Sequence, residues 1–66
     1  MNLTVNGETR AFEGVADVAG LVAALGLDRR KVAVERNLEI VPRSAYGRTP
    51  LADGDRIEIV HFIGGG

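Results

Sequence analysis

The sequence contains no cysteine, a single histidine and no long apolar run. Without cysteine there is no disulfide, no thiolate nucleophile and no thiolate metal ligand, and His61 alone cannot build a zinc centre. No stretch of 18 apolar residues occurs, and the first ten residues lack the basic and apolar segments of a leader peptide. We therefore expect a cytoplasmic protein that folds without metals or disulfide bridges.

An excess of charge of either sign is also missing. Eight Lys and Arg residues oppose nine Asp and Glu residues, which gives a net charge of -1. Such a balance provides no field to hold nucleic acid or an anionic membrane, so we expect neither as a partner. With 66 residues, 45% of them hydrophobic and 26% charged, the chain is typical of one small folded domain.

The usual catalytic motifs are absent as well. The sequence has no glycine-rich phosphate loop, no paired metal-ligand spacing and no Ser-His-Asp set beyond isolated residues. A lone histidine without a neighbouring nucleophile or carboxylate pair is more typical of a solvent-exposed position than of a catalyst. We expect no enzyme with an active site of its own.

Alternating polarity predicts strands at both ends of the chain. Residues 1–5 alternate apolar and polar side chains, and Asn6-Gly7 predicts a two-residue turn that returns residues 8–12 antiparallel, with Phe12 in the core. Further strands are expected at residues 32–35 and 56–63. Ile40-Val41-Pro42 is predicted as a short edge strand, because proline cannot donate to a sheet ladder. Residues 43–55 are predicted to be mostly irregular.

One amphipathic helix lies between these strands. Its apolar stripe consists of Val18, Leu21, Val22 and Leu25, at helical spacing. Asp17 is the expected N-cap, and Gly26 is expected to end the helix in a left-handed conformation. The basic run at residues 29–31 is interpreted as a solvated surface. The order of elements predicts a two-layer α+β domain over residues 1–63, with the first and last strands parallel at the centre of a mixed sheet of four to five strands.

The last strand presents two different faces. Ile57, Ile59 and His61 point to one side, and Arg56, Glu58, Val60 and Phe62 point to the other. If the two isoleucines are core residues, Val60 and Phe62 form an exposed apolar pair and a candidate partner interface. The alternative is that residues 43–55 fold over and cover that pair, and the sequence leaves both alternatives open.

Three glycines, Gly64, Gly65 and Gly66, follow this strand as an expected flexible tail over residues 64–66. Glycine has no side chain to obstruct a narrow channel, and three extended residues reach about 10 Å. An α-carboxylate at Gly66 is an anion at neutral pH and a poor electrophile, so acyl transfer from it requires prior activation. A threading arm and an idle terminus are both compatible with these residues alone.

Several short segments match one family pattern. They are Val5-Asn6-Gly7-Glu8, Leu25-Gly26-Leu27, Val32-Ala33-Val34-Glu35-Arg36-Asn37, Glu39-Ile40-Val41-Pro42-Arg43-Ser44, the run over residues 51–60, and the terminal glycines. On these segments the chain resembles the ubiquitin-like sulfur carrier proteins of thiamine biosynthesis, the ThiS family, over its whole length. Tyr46 stands where the family often has a tryptophan, and we expect it to serve in packing.

The resemblance implies a β-grasp fold and a chemistry for the tail. In this family a ThiF-type enzyme adenylates the terminal glycine carboxylate with ATP and magnesium. Sulfur from a cysteine desulfurase route then replaces AMP, and the resulting thiocarboxylate donates sulfur to thiazole synthase. By this resemblance Gly66 is the modified residue, and Gly64 and Gly65 thread the partners' active sites. The exposed pair Val60 and Phe62 remains the candidate partner interface. The chain would bind no cofactor and would act as a co-substrate.

Other functions stay open at this point. A carrier of the same fold could serve another sulfur acceptor, such as molybdopterin, tRNA or a cysteine precursor. A protein-conjugation tag that forms isopeptide bonds and an interaction module with an idle tail are further alternatives. The short length and the Val41-Pro42-Arg43-Ser44 stretch favour a sulfur carrier for thiamine biosynthesis over these alternatives.

Overall fold

The computed structural model describes residues 1–62, so residues 63–66, including the predicted glycine tail and Gly66, lie outside the described part. The elements are β1 (Asn2–Val5), β2 (Glu8–Ala11), α1 (Val18–Ala24), a 3₁₀ helix at Arg29–Lys31, β3 (Val32–Arg36), β4 (Glu39–Val41), a 3₁₀ helix at Arg43–Arg48 and β5 (Arg56–His61). Within residues 1–62, no helix is long and apolar enough to cross a bilayer.

The described strands form one mixed sheet in the order β2-β1-β5-β3-β4. β1 and β5 run parallel at its centre, with Thr4 opposite Arg56 and Val5 opposite Ile57. The other neighbouring strands are antiparallel. This is the predicted β-grasp arrangement, and β4, which ends just before Pro42, is an edge strand as predicted.

Helix α1 covers one face of this sheet. The Asp17 carboxylate caps its first turn by accepting a hydrogen bond from the Gly20 amide at 2.7 Å, and Gly26 follows its end at φ +73°. Both predicted helix ends are therefore confirmed. The buried core between helix and sheet consists of Leu3, Val5, Val15, Val18, Leu21, Val22, Val32, Val34, Val41, Tyr46, Leu51, Ile57 and Ile59.

Some boundaries differ from those predicted. β2 ends at Ala11, one residue early, and Phe12 is partly buried against the core, with its amide donating to the Met1 carbonyl at 2.8 Å. β5 ends at His61, although the Phe62 amide still donates to the Lys31 carbonyl at 2.9 Å. Strand ends are the positions at which a local pattern specifies least, because pairing depends on a distant partner.

Residues 43–55 are more regular than predicted. They open with six residues of 3₁₀ helix, and Tyr46 and Leu51 are buried in the core. The backbone then binds the start of α1: the Val18 amide donates to the Thr49 carbonyl, and the Leu51 amide donates to the Ala16 carbonyl. This segment therefore packs on the helix side of the sheet.

Candidate functional site

Strand β5 carries the chain toward the predicted tail and pairs with two neighbouring strands at its start. It pairs with β3 from Ile57 to His61, and its first two residues pair with β1. A central strand with two neighbours is the most constrained position in a sheet. The first half of β5 therefore lies between two strands, while residues 58–61 pair with β3.

The structure leaves Val60 and Phe62 uncovered on the face of the sheet opposite α1, the open face. Val60 is 61% exposed and Phe62 is 53% exposed. The segment of residues 43–55 lies on the other side, where its Tyr46 is buried. Of the two alternatives left open by the sequence, the exposed pair is thus confirmed.

Ile40 adds a third apolar side chain to this face. It lies opposite Glu35 in the register of β3 and β4, while Ala33 of the same strand lies opposite Val60. Ile40 is 77% exposed. We define Ile40, Val60 and Phe62 as the open-face patch. Sequence reasoning missed Ile40, although its alternation with the buried Val41 was the signal that could have found it.

Two carboxylates lie between the members of this patch. Glu35 and Glu58 are directly opposite each other on β3 and β5, and both are half-buried. Among residues 1–62, neither forms an ion pair, since the ion pairs of this part are Asp28 with Arg30 and Asp55 with Arg36. Like charges directly opposite on neighbouring strands repel. The open face therefore combines apolar side chains with acceptors for a cationic or hydrogen-bonding group.

A charged network fixes the start of β5. The Asp55 carboxylate accepts hydrogen bonds from Arg36 Nε at 2.8 Å, from the Ala52 amide at 2.8 Å and from Asn37 Nδ2 at 3.0 Å. Burial works against the charged form of Asp55, but the hydrogen bonds from Asn37, Ala52 and Arg36 together hold the pKa of this carboxyl below its usual value. We interpret this network as structural, because its acceptor Asp55 is buried and lies at the end of β5 that is remote from the tail.

A groove opens on the helix side near the other end of β5. It has a volume of about 310 Å³ and is lined by Val5, Asn6, Glu8, Arg10, Leu25, Leu27, Ile59 and His61. His61 is exposed at this groove, as predicted for a lone histidine. In the part of the chain that the structure describes, no three histidine or acidic side chains come together as metal ligands.

Arg29 and Arg30 of the basic run are exposed, and their side chains contact other residues of the same chain. Arg29 Nη2 donates to the Arg43 carbonyl at 3.2 Å, and its guanidinium lies 5.6 Å from the centre of the Tyr46 ring. Arg30 pairs with Asp28 at 3.0 Å. Tyr46 is 1% exposed and donates its hydroxyl to the Val32 carbonyl at 3.2 Å, and burial raises the pKa of that hydroxyl. The packing role predicted for Tyr46 is confirmed, and Arg29 stabilises the same region.

Three comparisons identify relatives of the chain. The family model described as ThiS family matches residues 3–66. The sulfur carrier protein ThiS of Bacillus subtilis is 40% identical over 65 residues, which are 97% of this chain and 98% of that protein. A thiazole synthase of Paramagnetospirillum magneticum is 58% identical over all 66 residues, and the chain spans only 20% of that protein's length.

A solved structure agrees with the sequence matches. The crystal structure of the thiamine biosynthesis protein ThiS from Geobacter metallireducens superposes with a TM-score of 0.84 at 40% identity, and the alignment covers 100% of both chains. The family model, the sulfur carrier protein and the thiamine biosynthesis protein are all described as ThiS, and the last two match this chain over nearly their whole length. The chain therefore belongs to the ThiS family.

Proposed function

We propose that this chain is the sulfur carrier for thiazole formation in thiamine biosynthesis. The observation that carries the proposal is the exposure of Val60 and Phe62 in the open-face patch, because these two apolar side chains lie within a few residues of the glycine tail in the sequence. An enzyme that docks on Val60 and Phe62 would have the tail within reach, since three extended glycines span about 10 Å. Membership of the ThiS family supplies the chemistry to be tested.

The proposed chemistry takes place at the carboxyl group of Gly66. A carboxylate oxygen attacks the α-phosphorus of ATP, and pyrophosphate leaves, so that a mixed anhydride with AMP is formed. A sulfur nucleophile then attacks the acyl carbon, and AMP leaves. When the nucleophile is a donor-bound persulfide, the product is an acyl disulfide. A thiol then attacks the donor's sulfur and forms a disulfide with the donor, and the thiocarboxylate of Gly66, a nucleophile at neutral pH, is the leaving group. Gly64 and Gly65 would pass through the narrow channel to each active site, because they have no side chains.

The proposed partners follow from this sequence of steps. A ThiF-type adenylyltransferase would bind ATP and magnesium, a cysteine desulfurase route would supply sulfur, and thiazole synthase would accept it. The 58% identity to a segment of a thiazole synthase supports the last of these. The chain would bind no cofactor and would act as a co-substrate of these enzymes in the cytoplasm, where ATP is available.

The intact mass of the protein tests the proposal. The chain is incubated with ATP, magnesium, a ThiF-type enzyme and a sulfur source, and conversion to the thiocarboxylate adds about 16 Da. Oxidation of Met1 gives the same nominal shift, so fragmentation must place the gain on Gly66. A gain at Gly66 is expected. No gain with an enzyme that is active on a known carrier would contradict the proposal.

Deletion of Gly66 is a second test, because it removes the proposed modified residue and leaves the core residues in place. The truncated chain should unfold at the same urea concentration as the full chain, because residues 1–62 contain the core. It should nevertheless fail to support thiazole formation. Normal growth without thiamine on the truncated carrier alone would contradict the proposal, and covalent adducts to lysines of other proteins would favour a conjugation tag.

A further inference from the structure

Asn6 binds the last strand with its side chain, although the sequence indicates only a turn there. Its Oδ1 accepts a hydrogen bond from the Ile59 amide at 2.7 Å, and its Nδ2 donates to the Ile59 carbonyl at 3.2 Å. The two residues are 53 positions apart in the chain. One side-chain amide therefore satisfies both backbone groups of Ile59, as a neighbouring strand would do.

The position of this contact explains its value. Val5 is the last residue of β1 to pair with β5, and the Asn6 amide donates to the Ile57 carbonyl at 2.9 Å. The chain then turns away at Asn6, which has φ 50°, to form β2. The Asn6 side chain takes the place of the missing next residue of β1 and extends the two-sided pairing of β5 to Ile59.

We propose that Asn6 is a positioning residue for the tail, and this rests on the sulfur-carrier function proposed above. Beyond Ile57, β5 otherwise pairs, within residues 1–62, only with β3, from Glu58 opposite Glu35 to His61 opposite Val32. A glycine segment sets no direction of its own. The direction in which the chain approaches the tail is then set by residues 59–62, and on the β1 side Asn6 binds the first of them, Ile59.

Asn37 provides a matched control at the opposite end of β5. It too has φ 50°, its Oδ1 accepts from the Arg56 amide at 2.9 Å, and its Nδ2 donates to Asp55. Both asparagines thus bind the same strand from a left-handed turn. Only Asn6 binds the half that leads to the tail.

The test compares Asn6→Gly with Asn37→Gly by amide hydrogen exchange, without any partner. Glycine keeps the positive φ without strain, so in the folded state each substitution removes only the side chain and its hydrogen bonds. The greater freedom of glycine in the unfolded chain changes global stability, which the comparison subtracts. Asn6→Gly should speed exchange of the Ile59, Val60 and Phe62 amides by about tenfold beyond any change in global stability, as expected for two lost hydrogen bonds. Asn37→Gly should have this local effect at Arg56 and leave residues 59–62 protected.

The second measurement is adenylation by a ThiF-type enzyme at a temperature at which both variants are folded. Asn6→Gly should raise the KM for the carrier by about tenfold at nearly unchanged kcat, because fewer molecules present the tail in the competent direction. Asn37→Gly should leave KM unchanged. Asn6→Asp retains the acceptor for the Ile59 amide but places a carboxylate oxygen against the Ile59 carbonyl, and two acceptors repel, so its KM should also rise above that of the wild type.

Each outcome decides one point. Unchanged exchange at residues 59–62 in Asn6→Gly would overturn the proposed hold on β5. Faster exchange with an unchanged KM would overturn the positioning role. If the wild-type chain is not adenylated at all, the sulfur-carrier function fails, while the exchange result still supports or overturns the hold of Asn6 on β5.

Discussion

The two faces of the sheet differ in burial, although they are built from alternate residues of the same strands. On the face under α1, Ile57 is fully buried and Ile59 is 7% exposed. On the open face, Val60 of the same strand remains mostly exposed. The one α-helix of the described residues covers a single face of the sheet, so the buried core lies on that face. The second face remains open and carries the exposed apolar side chains that we propose as a partner surface, and the last strand contributes residues to both faces.

The largest expected effect separates the two faces by stability. Ile57→Ala should lower the free energy of unfolding by about 2–5 kcal/mol, because it leaves a cavity under the helix. Ile40→Ala, the same change on the open face, should alter it by less than about 0.5 kcal/mol. Urea unfolding measures both. Ile57→Val, with an expected loss of about 0.5–1.5 kcal/mol, serves if the alanine variant does not fold. Equal losses for Ile57 and Ile40 would show that the open face is covered in solution.

The next effect concerns binding. Phe62→Ala should weaken binding of the ThiF-type enzyme by about 2 kcal/mol, or roughly 30-fold, as expected for an aromatic anchor in an interface. Stability should barely change, because Phe62 is exposed. Leu38→Asn is the control, since Leu38 is 80% exposed in the β3–β4 turn, away from the tail end of β5. Calorimetric titration of both variants should show a loss for Phe62 alone. An equal loss for Leu38→Asn would place the docking surface elsewhere.

A third experiment compares the buried carboxylate with those on the open face. Asp55→Asn should lower the free energy of unfolding at pH 7 by about 1–3 kcal/mol, because the hydrogen bonds from Arg36 and Ala52 lose a charged acceptor. The pKa of Asp55 is lowered in the folded state. Its contribution is therefore fully present above its ordinary pKa of 3.8 and is lost as the pH falls through the lower, folded pKa. Unfolding measured from pH 7 to pH 2 should show less acid destabilisation in Asp55→Asn, and an unchanged profile would contradict this.

The smallest effect is expected at the carboxylate pair of the open face. Glu58→Gln should raise the free energy of unfolding by about 0.2–1 kcal/mol, because it removes the repulsion from Glu35 across the strands. Added salt should shrink the difference between the variant and the wild type. The double variant with Glu35→Gln completes a mutant cycle in urea unfolding. A cycle without coupling energy would mean that the two carboxylates do not interact.

Much of the architecture could be predicted because it depends on local patterns. The alternation over residues 1–5, the stripe that includes Leu21 and the Asp17 cap are short-range signals, and each is confirmed. The resemblance to the ThiS family was carried by contiguous segments, and the family model confirms it. The exposed state of Val60 could not be decided in this way, since it depended on which side of the sheet residues 43–55 would pack.

The sequence by itself determined the strands, the one α-helix of the described residues and its buried stripe, because periodicity, caps and turns act over a few residues. Only the tertiary structure decided that Ile40 joins Val60 on one exposed face and that Glu35 meets Glu58. It also decided that the amide of Asn6 takes a place beside Ile59 in the sheet. These relations join residues far apart in the chain, and their geometry is fixed by strand order and register, which no local pattern specifies.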